Sequence, residues 1–244
     1  MLKIRAISFD FWNTLFKEQP GAFRLYKAKR RSLLSKAICD YRKVSDLELD
    51  EACRVERESH ERIWQEQHRT PLASHRLSRI LSELEVVLPD AATTQLVTSM
   101  EEIILEQPPL LVDGAREVLV SLSGGYRLGV ISDVGFSPGR VLKQLLADHG
   151  LIHLFDSLVF SDEAGVAKPH VEVFERTARS LSAEPQTIVH IGDLERTDIV
   201  GAKKAGYRAI RFTGVTAMNE DETTIADFVT DDLTEVPRLV ECLD

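Results

Sequence analysis

The sequence predicts an α/β protein, a doubly wound parallel sheet with a block of helices inserted just after its first strand. Two observations lead there. From Leu128 to Phe212, apolar runs of strand length alternate with segments of helical period, the pattern of βαβ units whose sheet is covered on both faces. Between Lys17 and Pro108, by contrast, no β-branched alternating run occurs and the chain reads as helix throughout.

The strands fall at residues 4–9, 128–131, 157–160, 187–191 and 209–212. Ser137-Pro138 begins a helix, with a good N-cap and Pro at the first helical position, and Val141, Leu142, Leu145 and Leu146 form its apolar face. Pro169 opens a second, with Val173, Phe174, Ala178 and Leu181 on one side. A third runs from about 196 to 205 and stops at Gly206, the residue type that most readily ends a helix.

The insert divides into four helices. The first covers 22–38, and the second starts at Ser45 with a capping box to Glu48 and continues to about 68. Leu77, Ile80, Leu81 and Leu84 mark the third; Leu96, Met100, Ile103 and Ile104 mark the fourth, both at helix spacing. Pro108-Pro109 closes the block. Of 244 residues, residues 1–16 and 109–244 then make one α/β unit of ordinary domain length, and 17–108 the helical insert.

Composition narrows the function classes. A net charge of −9 disfavours general binding to nucleic acid or an anionic membrane, which relies on excess Lys and Arg. No window approaches the length of apolar chain that a membrane helix needs. Cys39, Cys53 and Cys242 form neither a disulfide framework nor a CxxC pair, and no secretion signal is recognisable, so a reduced, cytoplasmic protein is expected. The sequence is silent on oligomeric state.

In open α/β sheets the ligand lies beyond the carboxyl ends of the strands. There the chain carries Asp10-Phe11-Trp12-Asn13-Thr14-Leu15, Ser132-Asp133, Lys168-Pro169 and Gly192-Asp193-Leu194-Glu195-Arg196-Thr197-Asp198. A strand-end carboxylate can attack phosphorus or carbon and form a covalent intermediate. Several carboxylates in one crevice repel unless a hard cation such as Mg²⁺ lies between them, and that cation also reduces the repulsion between a carboxylate nucleophile and an anionic phosphate. Lys168 adds positive charge, and Ser132 and Thr14 offer hydrogen bonds to non-bridging oxygens.

These four motifs, in order and with a helical insert between the first and second, resemble the haloacid dehalogenase-like (HAD) hydrolase superfamily over the whole chain. The resemblance implies a Rossmann-like core under a helical cap, with Asp10 as nucleophile. It implies that Ser132, with Thr14 and Asn13, binds the substrate phosphate and that Lys168 pairs with Asp10 and that phosphate. Asp10, the Trp12 backbone carbonyl, Asp193 and Asp198 would hold Mg²⁺.

Two positions depart from the phosphatase pattern. The second Asp that usually follows the nucleophile by two residues is here Trp12, which transfers no proton. Asp133 stands where Asn is more common, and its charge would oppose a phosphate unless engaged elsewhere. Trp12 favours a metal-independent 2-haloacid dehalogenase, or a member that binds an anion or partner with little catalysis. The acidic Asp193–Asp198 loop favours a Mg²⁺-dependent phosphatase, and it weighs more, because unneutralised acids in a metal-free crevice cost energy without return. The expected activity is hydrolysis of a small phosphorylated, anionic metabolite through an aspartyl-phosphate on Asp10.

Residues 17–43 hold nine basic side chains against Glu18 and Asp40, a local net charge of +7. Such a run is ordinarily a solvated helix face; the functional alternative is recruitment of an anionic substrate. His60, His68 and His75 are cap candidates for the acid that Trp12 lacks.

Overall fold

The computed structural model describes residues 3–218 and 222–244. Strand β1 (Ala6–Phe9) leads through a tight loop to the two-residue β2 (Phe16–Lys17). Four helices follow: α1 (Ala22–Ile38), α2 (Asp46–Gln67), α3 (Ala73–Glu83) and α4 (Asp90–Glu106). The chain returns at β3 (Leu110–Leu111), antiparallel to β2, so a two-stranded ribbon forms the stalk of the cap. Then come α5 (Ala115–Ser123), β4 (Arg127–Ser132), α6 (Gly139–Asp148) and β5 (Ser157–Phe160). The rest is α7 (Ser161–Ala164), α8 (Val171–Leu181), β6 (Ile188–Gly192), α9 (Val200–Lys204), β7 (Arg208–Phe212), β8 (Phe228–Thr230) and α10 (Val236–Glu241).

Strands β5-β4-β1-β6-β7-β8 form one six-stranded parallel sheet. From β1 the chain builds outward through β4 and β5, then returns to β6 on the other side of β1. The strand order therefore reverses at β1, and the switch-point crevice where α/β folds bind ligands opens at the end of β1, just before Asp10. Every residue of β1 and of β6 is buried, and so are five of the six in β4, as strands covered on both faces require.

The cap has an apolar core of its own, built from residues such as Leu34, Leu49, Leu77, Ile80 and Met100. At about 1.5–3 kcal/mol for each fully buried large aliphatic side chain, this cluster accounts for the helices' cohesion. Tyr26 of α1 and Ile103 and Ile104 of α4 instead join the core cluster that contains Ile7 and Phe9, which fastens the cap to the sheet.

Several local expectations hold. Ser45 and Glu48 form the reciprocal capping box of α2, and Gly206, at φ +84°, turns the chain after α9. Others shift because tertiary groups replace local caps. Helix α6 starts at Gly139: the Ser137 hydroxyl donates to the Glu101 carbonyl instead, and the Asp162 carboxylate accepts the Gly139 N–H at 3.1 Å. Helix α8 starts at Val171, capped by the His170 ring, which accepts the Glu172 N–H. The segment expected as one helix from 196 to 205 opens with a π-turn over Glu195–Ile199. Helices α5 and α10 and strands β2, β3 and β8 lie outside the sequence reading; the strands span two or three residues each, too short to show a period.

Candidate active site

Asp10 begins where β1 ends, and its N–H is held by the Ile191 carbonyl of the neighbouring strand at 2.8 Å. The chain then folds back on itself: Asn13 N–H donates to the Phe16 carbonyl and Phe16 N–H to the Phe11 carbonyl. Asn13 sits at φ 56°, a left-handed conformation that Asn tolerates better than most side chains. This reversal sends the chain out to the cap while Asp10 stays at the carboxyl end of the sheet.

Four side chains from three stretches of sequence converge there. The Lys168 Nζ lies 2.5 Å from Asp10 Oδ1 and 2.5 Å from Asp198 Oδ1, and all three side chains are almost fully buried. Asp193 completes the set: one ligand atom from each of Asp10, Asp193 and Asp198 lies within 4.8 Å of the others. Asn13 Nδ2 reaches Asp193 Oδ2 at 3.3 Å, and Thr216 Oγ1 donates to the same oxygen at 2.7 Å.

Gly192 is required for this approach. A Cβ there would lie 2.5 Å from the Asp198 side chain, so only glycine lets that carboxylate lie against the end of β6. Asp198 does not cap α9. Its Oδ2 accepts the Leu194 N–H at 3.0 Å and the Thr197 hydroxyl at 3.1 Å, closing the loop that carries Asp193.

The site holds more negative than positive charge. Burial, reinforced by Asp198 and Asp193 against the pull of Lys168, holds the Asp10 carboxyl well above the usual carboxylate range. Burial and Asp198 likewise raise Asp193. For Lys168, burial opposes the charge, but Asp10, Asp198 and Asp133 outweigh it and the ammonium is held more firmly protonated. Asp198 goes the other way: Lys168 and then His190 overcome its burial and keep it ionised far below the usual range. A hard cation would answer the remaining excess, since its ligands are ionised oxygens of this kind.

The other expected site residues are placed less uniformly. Thr14 is fully buried, and its hydroxyl has no hydrogen-bond partner among the described residues. Ser132 ends β4, but its hydroxyl donates to the Asp133 carbonyl at 3.1 Å and makes no hydrogen bond to Asp10 or Lys168. Trp12 packs edge-on against Phe11, with centroids 5.1 Å apart, beside the main core cluster. Asp133 is engaged: Oδ1 accepts the Lys168 backbone N–H at 2.9 Å, and Oδ2 accepts the indole N–H of Trp64 at 2.8 Å. None of the three cap histidines bonds to this cluster; His75 is exposed, and His60 is kept neutral by burial and by Arg76, its pKa lowered to about 4.

Three contributors escaped the sequence reading. His190 stands fully buried in β6, its Nε2 3.3 Å from Asp198 Oδ1 and its Nδ1 2.9 Å from Ser8 Oγ. The signal was there, a polar residue inside the run Ile188-Val189-His190-Ile191. Arg211, a charge inside the apolar run of β7, is buried and braces the acidic loop from behind, through the Asp193 carbonyl, Glu195 and Glu222. Trp64, on α2, gave no local sign of its contact with Asp133.

Several of the cap's basic residues are paired. Lys17 meets Asp113, Lys29 meets Glu106, Arg31 meets both Asp46 and Asp50, and Arg42 meets Glu48. Arg30 lies 4.7 Å from the ring of Phe136, and Arg76, itself paired with Glu56, lies 3.7 Å from it. Among the described residues, four of the nine basic residues of the 17–43 stretch thus sit in ion pairs.

Among proteins of known type, the chain is similar over 90 residues to the glyceraldehyde 3-phosphate phosphatase of Methanothermobacter thermautotrophicus, at 42% identity, covering 36% of this chain and 38% of that protein. It is 30% identical over 138 residues to the enzyme of the same name from Pyrococcus furiosus, covering 54% of each. The chain therefore spans about half the length, or less, of the curated relatives it matches. Two solved structures share the fold over nearly all of both chains. One is a 2-haloacid dehalogenase from Pseudomonas syringae pv. Tomato DC3000, 23% identical, TM-score 0.75, covering 99% of this chain and 100% of that one. The other is a HAD phosphatase from Thermococcus onnurineus, 21% identical, TM-score 0.70, covering 97% and 98%. The family model for haloacid dehalogenase-like hydrolases matches residues 4–206, and the chain belongs to that family.

Proposed function

We propose that the protein is a Mg²⁺-dependent phosphatase of small phosphorylated metabolites, working through an aspartyl-phosphate on Asp10. The observation that carries this reading is the buried cluster of Asp10, Asp193 and Asp198 around a single Lys168. Such a set is short of positive charge, and a hard divalent cation would supply it. The named phosphatase relatives support the same class, and three-carbon sugar phosphates are the first substrates to try.

Asp10 and Asp193 would hold the ion, with the Trp12 carbonyl and Asp198 completing the set. When bound, Mg²⁺ neutralises the phosphate and the carboxylate that approaches it. Asp10 presents one oxygen to Lys168 and leaves Oδ2, which accepts no hydrogen bond from the described residues, as the attacking atom. That oxygen forms the bond to phosphorus as the ester oxygen leaves with its electron pair. Lys168 opposes the upward shift of the Asp10 carboxyl and screens the incoming charge, while Asp198 fixes the ammonium in place. The orphaned Thr14 hydroxyl, costly while buried and unpaired, is satisfied by a phosphate oxygen. Ser132 serves the same oxygens once its hydroxyl rotates away from the Asp133 carbonyl. Water then attacks phosphorus and releases inorganic phosphate, regenerating Asp10. Trp12 supplies no proton to the leaving group, so esters with acidic leaving groups are the better substrates.

The test is release of phosphate from p-nitrophenyl phosphate and of chloride from 2-chloropropionate, each with Mg²⁺ and with chelator. Phosphate release that needs Mg²⁺ and disappears in Asp10→Asn supports the reading. Trp12 favours the dehalogenase as the second reading, and chloride release in chelator would establish it instead.

A further inference from the structure

Trp64 connects the cap to two loops of the crevice. Its indole N–H donates to Asp133 Oδ2 at 2.8 Å, and the Arg196 guanidinium lies over its ring, 4.2 Å from the centroid. Asp133 in turn uses Oδ1 to accept the backbone N–H of Lys168 at 2.9 Å. One helical turn beyond Trp64, the carbonyl of His68 accepts the N–H of Ala167 at 2.7 Å. The end of α2 thus holds two successive backbone N–H groups leading into Lys168, one directly and one through Asp133. The Lys168 side chain then spans Asp10 and Asp198.

We infer that Trp64 is a positioning residue: acting through Asp133, it makes the alignment of Lys168 with Asp10 depend on α2 of the cap being docked. Neither group touches the reacting atoms. Without the indole, the Asp133 carboxylate is partly buried with one oxygen unpaired, beside the ammonium of Lys168, and is free to turn toward it and drag the Lys168 backbone out of register. A buried hydrogen bond to a charged acceptor is worth about ten- to a hundredfold in an equilibrium, so losing this one leaves the aligned arrangement in the minority. The device also explains how an acidic residue is tolerated next to Ser132: both of its oxygens are occupied when the cap is down.

The inference rests on the phosphatase reading of the site, and its test has one arm that needs turnover and one that does not. With p-nitrophenyl phosphate and Mg²⁺, Trp64→Phe keeps the ring but removes the donor, and it lowers kcat about tenfold while KM stays within about twofold. Asp133→Asn, which offers one acceptor where the carboxylate offers two, matches it. The double variant is no slower than either single, because both cut the same link. A merely structural role would instead give losses that multiply, and that result, or a Trp64→Phe enzyme within twofold of wild-type kcat, overturns the inference.

The second arm uses fluorescence. Trp12 and Trp64 are the two tryptophans of the chain, so in a Trp12→Phe background emission reports Trp64 alone. Adding Asp133→Ala shifts that emission to the red as the indole loses its partner and meets water; an unchanged spectrum overturns the link. If the wild-type chain releases no phosphate, the phosphatase reading fails, and the emission arm still decides whether Asp133 holds Trp64.

Discussion

Asp10, Lys168, Asp193 and Asp198 come from three stretches of the core and meet, buried, at one end of the sheet, whereas the charges of the cap are spread over its surface, several of them in ion pairs. The core cluster sets one ammonium against three carboxylates, and burial strengthens both the attraction and the repulsion. The cap carries a +7 stretch in sequence, yet Lys29, Arg31 and Arg42 each find an acid on α2 or α4. Charge density along the chain therefore misleads, while charge left unbalanced in three dimensions marks the chemistry. The exception inside the cap follows the same rule: Arg76 and Glu56 are buried together, bidentate, at 2.5 and 3.1 Å, and balance each other.

The contrast can be broken in four places, in falling order of effect. Asp193→Asn removes a proposed ligand of Mg²⁺, so phosphate release should fall by about 10²–10³-fold, with the Mg²⁺ requirement moved to higher concentration. A Mg²⁺ titration of turnover checks this, and an unchanged profile removes Asp193 from the ligand set. Glu56→Ala leaves Arg76 buried and unpaired. At about 3 kcal/mol or more for such a break, Tm should drop by roughly 10 °C for a chain of this size, which calorimetry would show.

His60 is held at about 4, below its unfolded value of 6.5, by burial and by Arg76. Between those two pH values the unfolded chain takes up a proton that the folded chain refuses. Stability therefore falls as pH drops from about 6.5 toward 4, and it is complete above that window. His60→Gln should flatten this part of the stability–pH curve by on the order of 1 kcal/mol, discounted because His60 is only partly buried. Denaturant melts at pH 7 and pH 5 compare the two; parallel curves would contradict the assignment. The smallest effect belongs to the surface: Arg31→Ala breaks two ion pairs at Asp46 and Asp50 but should cost less than about 1 kcal/mol and leave turnover unchanged.

Much of the site was legible because it is written at strand ends. Asp10, Lys168 and the Asp193–Asp198 loop each follow, or closely approach, an apolar run, and the parallel topology makes those ends converge. The insert was legible from its helical period, though the sequence reading set its exact limits by Lys17 and the Pro108-Pro109 pair rather than by contacts. What stayed hidden depends on partners far away in sequence. Helix α6 takes its cap from Asp162, and Asp133 is made harmless by an indole 69 residues distant. Nor did the sequence show that the Ser132 hydroxyl donates to the Asp133 carbonyl. His190 and Arg211 were visible as charges or polar rings inside apolar strands, but only the packed sheet shows that both serve the acidic loop.

The central claim is that Asp10 becomes phosphorylated. Acid quenching during turnover of p-nitrophenyl phosphate with Mg²⁺, followed by intact-mass and peptide mass spectrometry, tests it directly. The account predicts one added phosphoryl group on the peptide containing Asp10, absent with chelator and absent in Asp10→Asn. Turnover with no phosphoryl group on that peptide, or an Asp10→Asn chain that hydrolyses the ester as fast as wild type, would contradict it.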